Sequence, residues 1–178
     1  MSAAAPHGPW ARHARTSEGI EYRIRPIRST DVELERAFFE SLSSQSKYLR
    51  FLHHMREPSE AFVAQLVNVD YHSTMAFVAI AGEGDQARFV GVARYAADAS
   101  GRDCEFAIAV SDDWQCRGIG STLAPLLFEY AAQEGFDSIY GTVLADNPRM
   151  IELAEWLGLT IETPAATQTT LRAVRRLR

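Results

Sequence analysis

The sequence predicts a single α+β domain built on one mixed, mostly antiparallel sheet, and three observations lead there. Residues 20–26 and 103–110 alternate apolar and polar positions with the period of two that a half-buried strand requires. Residues 31–42 and 119–134 instead repeat their apolar positions every three or four residues, as a helix with one buried face does. The order past residue 103 is strand, helix, strand, which argues for a right-handed parallel crossover. With 178 residues, 47% of them hydrophobic, the chain can bury one sizeable core but not comfortably two.

Residues 1–19 are rich in Ala, Pro, Gly, His and Arg without periodicity, which predicts a mobile leader, with the domain occupying 20–178. Ile20, Tyr22 and Ile24 then alternate with Glu21, Arg23 and Arg25 in a strand that Pro26 ends. Ser29-Thr30-Asp31 offers an N-cap for a helix over 31–42 with Leu34, Ala37, Phe38 and Leu42 on one face. A second helix is predicted over 46–55, and Pro58 stands where a third would begin, with Phe62, Val63, Leu66 and Val67 as its stripe. Strands at 75–81 and 88–96 flank a Gly-Glu-Gly-Asp turn, and a third follows at 103–110. Along it Cys104, Phe106, Ile108 and Val110 share one face, and Glu105, Ala107 and Ala109 the other. The next helix starts at Gly118 and stops at Gly135; Pro125 inside it must bend it or cost about 3 kcal/mol. A strand at 138–144, a helix over 148–157 closed by Gly158, and strands at 159–162 and 167–174 complete the chain.

Composition excludes several functions. A net charge of -5 repels phosphodiester backbones, so nucleic acid is not the expected partner. Arg172, Arg175, Arg176 and Arg178 crowd the end of the chain and read first as a solvated tail or edge strand, second as a surface for an acidic partner. Cys104 and Cys116 make no disulfide framework, and neither they nor His53, His54 and His72 have metal-ligand spacing, so no metal is expected. No apolar run approaches the ~20 residues of a membrane span and no signal-peptide stretch opens the chain, which predicts a cytoplasmic protein with no membrane partner.

The chemistry concentrates at Gln115-Cys116-Arg117-Gly118-Ile119-Gly120, between the strand ending at Val110 and a helix start. A helix N-terminus presents free N–H groups and a positive dipole end to an anion, and glycines let phosphates approach the backbone. Arg117 adds a positive charge, and Ser121 and Thr122 place hydroxyls in the first turn. The loop lacks the third glycine of a dinucleotide fingerprint and the Gly-Lys-Ser/Thr of a Walker loop. It resembles instead the cofactor loop of the GNAT N-acyltransferases: Gln or Arg, two residues, Gly, one residue, then Gly or Ala. Residues 48–51, 76–79, 91–94 and 105–107 are similar to the corresponding segments of bacterial protein lysine acetyltransferases of the Pat type.

The resemblance covers about residues 20–163 and implies the GNAT fold, acetyl-CoA or another short acyl-CoA as co-substrate, and an amine acceptor. It implies that the strands on either side of the loop and its helix splay apart, with pantetheine pairing along Ile108, Ala109 and Val110 and a backbone N–H near Val110 polarising the thioester. It also implies that Asn147 contacts the pantetheine end, although Asn147 before Pro148 reads equally as a helix cap. Ala154 stands where many members place the tyrosine that protonates the leaving thiolate. An amine attacks only when neutral, and a lysine of pKa about 10.4 is neutral in about 1 in 2,500 molecules at pH 7, so a base is needed. Glu105, a carboxylate in an apolar strand, is the candidate, activated by desolvation; the plainer reading pairs it with Arg94 or Arg102. An acyl-cysteine route through Cys116 has no histidine placed by motif to activate it. Protein lysine is the first acceptor reading. A small-molecule amine, a non-catalytic acyl-CoA sensor and a homodimer stay open.

Overall fold

A computed structural model describes residues 8–52, 57–163 and 169–178. In chain order the elements are β1 (Arg12–Arg15), β2 (Glu21–Pro26), α1 (Val32–Ser41), α2 (Ser44–Phe51), α3 (Glu60–Val67), β3 (Thr74–Ala81), β4 (Arg88–Ala97), β5 (Asp103–Val110), α4 (Ile119–Gln133), β6 (Ser138–Leu144), α5 (Pro148–Trp156), β7 (Thr160–Glu162) and β8 (Thr170–Arg176). The strands form one sheet in the order β1-β2-β3-β4-β5-β6-β8-β7. Among the described residues only β5 and β6, joined through α4, run parallel; the predicted mixed sheet with one parallel crossover is what the chain forms. β3 is buried on both faces because helices cover both. Phe77 and Ala79 face the larger core with α4 and α5, and Ala76, Val78 and Ile80 face the smaller one with Phe38 of α1 and Val67 of α3.

The predicted leader is folded where it is described. β1 pairs with β2, and Trp10 is buried 5.9 Å from the ring of Phe77 and 4.9 Å from that of Tyr130. The strand is short and its side chains are largely exposed, so no alternation marks it; Trp10 anchors it by leaving water. α2 begins two residues earlier than predicted because Ser43 caps it, accepting from Ser46 N–H at 3.1 Å, and left-handed Leu52 ends it. The remainder of that predicted helix, with His53 and His54, lies outside the described residues. Ser59 caps α3 in the same way. Asp31 sits at the N-cap of α1 without capping it: Arg25 takes both carboxylate oxygens, at 2.7 and 2.8 Å. Pro125 lies inside an unbroken α4 and lacks the N–H that would meet the carbonyl four residues back. Thr167 and Gln168, expected in the last strand, are outside the described residues.

Arg172 lies inside the sheet, where β8 runs between β6 and β7, while Arg175, Arg176 and Arg178 lie past the β7 pairing and are exposed, as a solvated edge would have them. Arg172 stacks over Tyr140 at 4.0 Å, and Arg175 donates to the Leu157 carbonyl at 2.9 Å. The charges of Arg172 and Arg175 thus rest on the fold's own elements.

The feature that positions the site is the short reach of β5–β6 pairing, which covers only Asp103–Ser138, Cys104–Ile139 and Glu105–Tyr140. Beyond it β5 stays on β4 as far as Val110 opposite Gly91, while β6 follows β8 to Leu144 opposite Thr170. A wedge therefore opens past Glu105. At its root the Phe106 ring lies where a Cβ on Gly141 would stand 2.9 Å away. Gly141→Ala is expected to cost about 1–3 kcal/mol by overpacking, read as a lower urea midpoint at unchanged slope; wild-type stability would refute this contact.

Candidate functional site

Among the described residues, the wedge leaves one backbone edge of β5 without a strand partner from residue 106 to 110. Ile108, Ala109 and Val110 are all half-buried there, and the backbone groups that point off this edge, apart from the Val110 carbonyl that Gln115 takes, suit an extended amide chain laid in as a substitute strand. The start of α4 packs beside this edge: a Cβ on Gly120 would meet Leu153 Cδ2 of α5 at 3.3 Å and Ile108 Cγ2 at 4.0 Å. Ile119 is buried under it, its Cγ2 only 2.7 Å from where a Cβ on Gly91 would be.

The loop reaches this position by two left-handed residues, Cys116 (φ 60) and Gly118 (φ 87). The first helical backbone bond of α4 runs from Thr122 N–H to the Gly118 carbonyl at 3.1 Å. The N–H groups of residues 118–121 precede it and form the positive end of a 15-residue helix. Several expected side-chain roles change. Arg117 is ion-paired to Glu18 at 2.8 Å and lies over Trp114, so its charge is already matched by the N-terminal segment. The Ser121 and Thr122 hydroxyls both donate to the Gly118 carbonyl, at 3.0 and 2.8 Å. Gln115 is a brace: its Nε2 donates to the Val110 carbonyl and to Ser46 Oγ, both at 3.1 Å, and its Oε1 accepts from Arg149 at 3.0 Å. Asp112 adds to the brace by accepting from Ser43 N–H, Ser43 Oγ and Ser46 Oγ. Asn147 caps α5, its Oδ1 accepting from Met150 N–H at 3.2 Å. Ala154 is fully buried, so that position offers no acid.

Glu105 is the last residue of β5 paired with β6 and stands at the root of the wedge, solvent-exposed. The desolvation expected to activate it is absent, because its face of the sheet is open there. Neither arginine proposed as its partner takes it: Arg94 pairs with Glu35 and Arg102 with Asp137. Glu105 Oε1 instead accepts from Thr142 Oγ1 across the wedge at 2.8 Å. Tyr140, beside it, has its phenol pKa raised, by burial first and then by the Glu105 charge.

Sequence reasoning missed a second carboxylate on this side. Glu35 of α1 is 4% exposed, and Arg94 Nη2 of β4 holds its Oε1 at 2.6 Å. Burial pushes its carboxyl pKa up, against the nearby Arg94 and Arg50. Burial also pushes the Arg50 guanidinium down to about 10, helped by Arg94 and opposed by Glu35 and Glu105. Helical spacing carried the signal, since Glu35 precedes Phe38, Phe39 and Leu42 by three, four and seven residues on the buried face.

Cys104 is buried, its thiol pushed up to about 12 by that burial. Cys116 is exposed, and its backbone shapes the loop. His72 bonds Glu134 of α4 at 2.7 Å. Among the described residues no group of three or more His, Cys, Asp or Glu is placed to hold a metal, and no helix is long and apolar enough to cross a membrane.

The chain matches the model of the acetyltransferase (GNAT) family over residues 32–159. It is 38% identical over 141 residues to Acetyltransferase PA5475 of Pseudomonas aeruginosa, covering 79% of this chain and 76% of that one. It is 33% identical to Acetyltransferase Pat of Mycolicibacterium smegmatis, covering 79% of this chain but only 41% of that protein. The solved GNAT domain of S. lividans PAT superposes with a TM-score of 0.87 at 25% identity, over 96% of this chain and 99% of that one.

Proposed function

Because the chain belongs to the acetyltransferase (GNAT) family, we propose that it moves an acetyl or similar short acyl group from coenzyme A directly to a primary amine, in a ternary complex. The observation that carries this reading is the wedge past Glu105 with the free amides of α4 beside it. Acyl-CoA, when bound, supplies an activated thioester. The N–H groups of Gly118, Ile119, Gly120 and Ser121 receive its diphosphate, with Cys116 shaping the turn. The open edge at Ile108, Ala109 and Val110 takes the pantetheine amides, Asn147 borders their far end, and a backbone N–H near Val110 polarises the carbonyl. Gln115 and Arg117 act at one remove, bracing the loop through Val110, Ser46, Arg149 and Glu18.

Glu105 takes up the amine proton, through water given its exposure, and Thr142 fixes its carboxylate for that task. A coenzyme A thiol, with pKa about 8.5, leaves without a side-chain acid, which accommodates Ala154. Protein lysine is the acceptor this reading prefers, on the likeness of residues 48–51 and 105–107 to Pat-type enzymes. Titrating the protein with acetyl-CoA and free CoA, then following CoA release against proteins, peptides and small amines, tests it. Association with both nucleotides and release with one amine class is the expected result. Absence of association would sink the reading, and association without release on any amine would mark a sensor instead.

A further inference from the structure

Arg172 of β8 is a cation beside the site that the mechanism above leaves unused. Its guanidinium lies over the Tyr140 ring at 4.0 Å, its Nε is buried without a hydrogen-bond partner, and Glu162, opposite it on β7, forms no ion pair with it among the described residues. Buried polar groups are almost always satisfied, so this guanidinium still asks for an acceptor. Stacking occupies its face and leaves the N–H fork in its plane for a carboxylate. The fork stands close to the chemistry: Arg172 is opposite Thr142 of β6, whose hydroxyl holds Glu105, and Tyr140 is opposite Glu105 of β5. Neighbouring strands lie about 4.8 Å apart, so one to two strand spacings, about 5–10 Å, separate the guanidinium from the Glu105 carboxylate. This half of the sheet is also open on the Glu105 side. Ile139, Val143, Ala173 and Ile161 point to the larger core, and no residue of β6, β7 or β8 belongs to the smaller core under α1 and α3.

We propose that Arg172 selects the acceptor by a carboxylate: its guanidinium binds the acidic side chain of a residue flanking the acceptor lysine while the lysine nitrogen is delivered to Glu105. This rests on the acyl-transfer reading and narrows its acceptor to lysines in an acidic sequence. An uncovered sheet face, with Thr142, Thr160 and Glu162 exposed on it, suits a stretch of polypeptide better than an enclosed small amine. Glu105 and Glu162 on that face repel an acidic segment unless a cation meets it, so the discrimination depends on Arg172. Arg176, two residues on along β8 and exposed, adds a second positive charge opposite Ser138. Arg172 is thus a specificity residue, while Glu105 takes the proton.

Three acceptors, acetyl-Glu-Lys-Gly-amide, acetyl-Gln-Lys-Gly-amide and Nα-acetyl-lysine, which carries only its own carboxylate, are titrated by calorimetry into wild type, Arg172→Gln and Arg172→Lys. The same samples are followed for CoA release and acetyl-CoA affinity, and melting temperatures report on folding. Wild type is expected to prefer the Glu peptide over the Gln peptide by at least about fivefold, in affinity and in kcat/KM. Arg172→Gln is expected to bring that ratio close to one while acetyl-CoA affinity and turnover of the Gln peptide are retained; a merely structural role would depress both peptides alike. Arg172→Lys, which keeps the charge, is expected to restore part of the preference. If Arg172→Gln melts early, the partial preference of Arg172→Lys and the loss of the wild-type preference at high salt carry the test. Equal treatment of the two peptides by wild type, a preference that survives in Arg172→Gln, or a preference for Nα-acetyl-lysine alone would overturn the proposal. A preference in binding with no CoA release on any acceptor would instead overturn the acyl-transfer reading and leave the Arg172 site standing.

Discussion

Glu105→Gln is expected to lower kcat for acyl transfer by about 10²–10⁴-fold, the usual contribution of a positioned general base. The substitution isolates proton transfer, since the carboxamide oxygen still accepts from Thr142 and only the proton-accepting capacity is lost. Because Glu105 is exposed and holds no ion pair among the described residues, folding stability should change by no more than about 0.5 kcal/mol. The loss should shrink as pH rises toward the amine's own pKa of about 10.4, where solvent supplies the neutral amine without help. Steady-state CoA release at several pH values, with acetyl-CoA affinity measured alongside, checks both statements. Wild-type turnover at neutral pH in this variant would remove Glu105 from the mechanism.

What was legible in the sequence was whatever a strong local signal dictated. The period of two along 103–110 put Glu105 and Ala109 on one face and Phe106 and Ile108 on the other, which is where the two cores divide. The glycines at 118 and 120 fixed the loop, one through a left-handed φ and the other through close packing on Leu153. Side-chain partners were not legible, because they depend on residues far apart in sequence. Arg117 looks like a phosphate ligand until Glu18, 99 residues away, is found paired to it. Gln115 looks like a loop signature residue until its bonds to Ser46 and Arg149 are seen. β1, Arg12-His13-Ala14-Arg15, shows no alternation because this edge strand buries almost nothing, and the buried Trp10 beside it went unread as a signal.

Those long-range bonds link the two sides of the site. Asp112 and Gln115 tie α2 to the loop that opens α4, and Gln115 ties the same loop to α5.

The buried pair of Arg94 and Glu35 yields the largest stability effect. Arg94→Met is expected to destabilise the fold by about 3–5 kcal/mol at neutral pH and above, because it strands a buried carboxylate. The Arg94 side chain is 15% exposed and that of Glu35 5%, so water cannot take over the lost hydrogen bond. The Leu66 carbonyl, which Arg94 also serves at 3.1 Å, loses a donor as well. Arg50, pushed down to about 10 by burial, is still charged at neutral pH and offsets part of the loss. The pH dependence has a definite sign. The Glu35 pKa in the fold lies above its ordinary 4.5, so its neutral form favours the fold below 4.5, and that contribution is lost as pH rises through the folded value. Removing Arg94 takes away the main charge holding the folded value down, which raises it further and widens the window. The penalty measured by urea unfolding should therefore be larger at pH 8 than at pH 5. An equal penalty at both pH values would show that Arg94 does not shift the proton equilibrium of Glu35 in the fold, and that its contribution is packing alone.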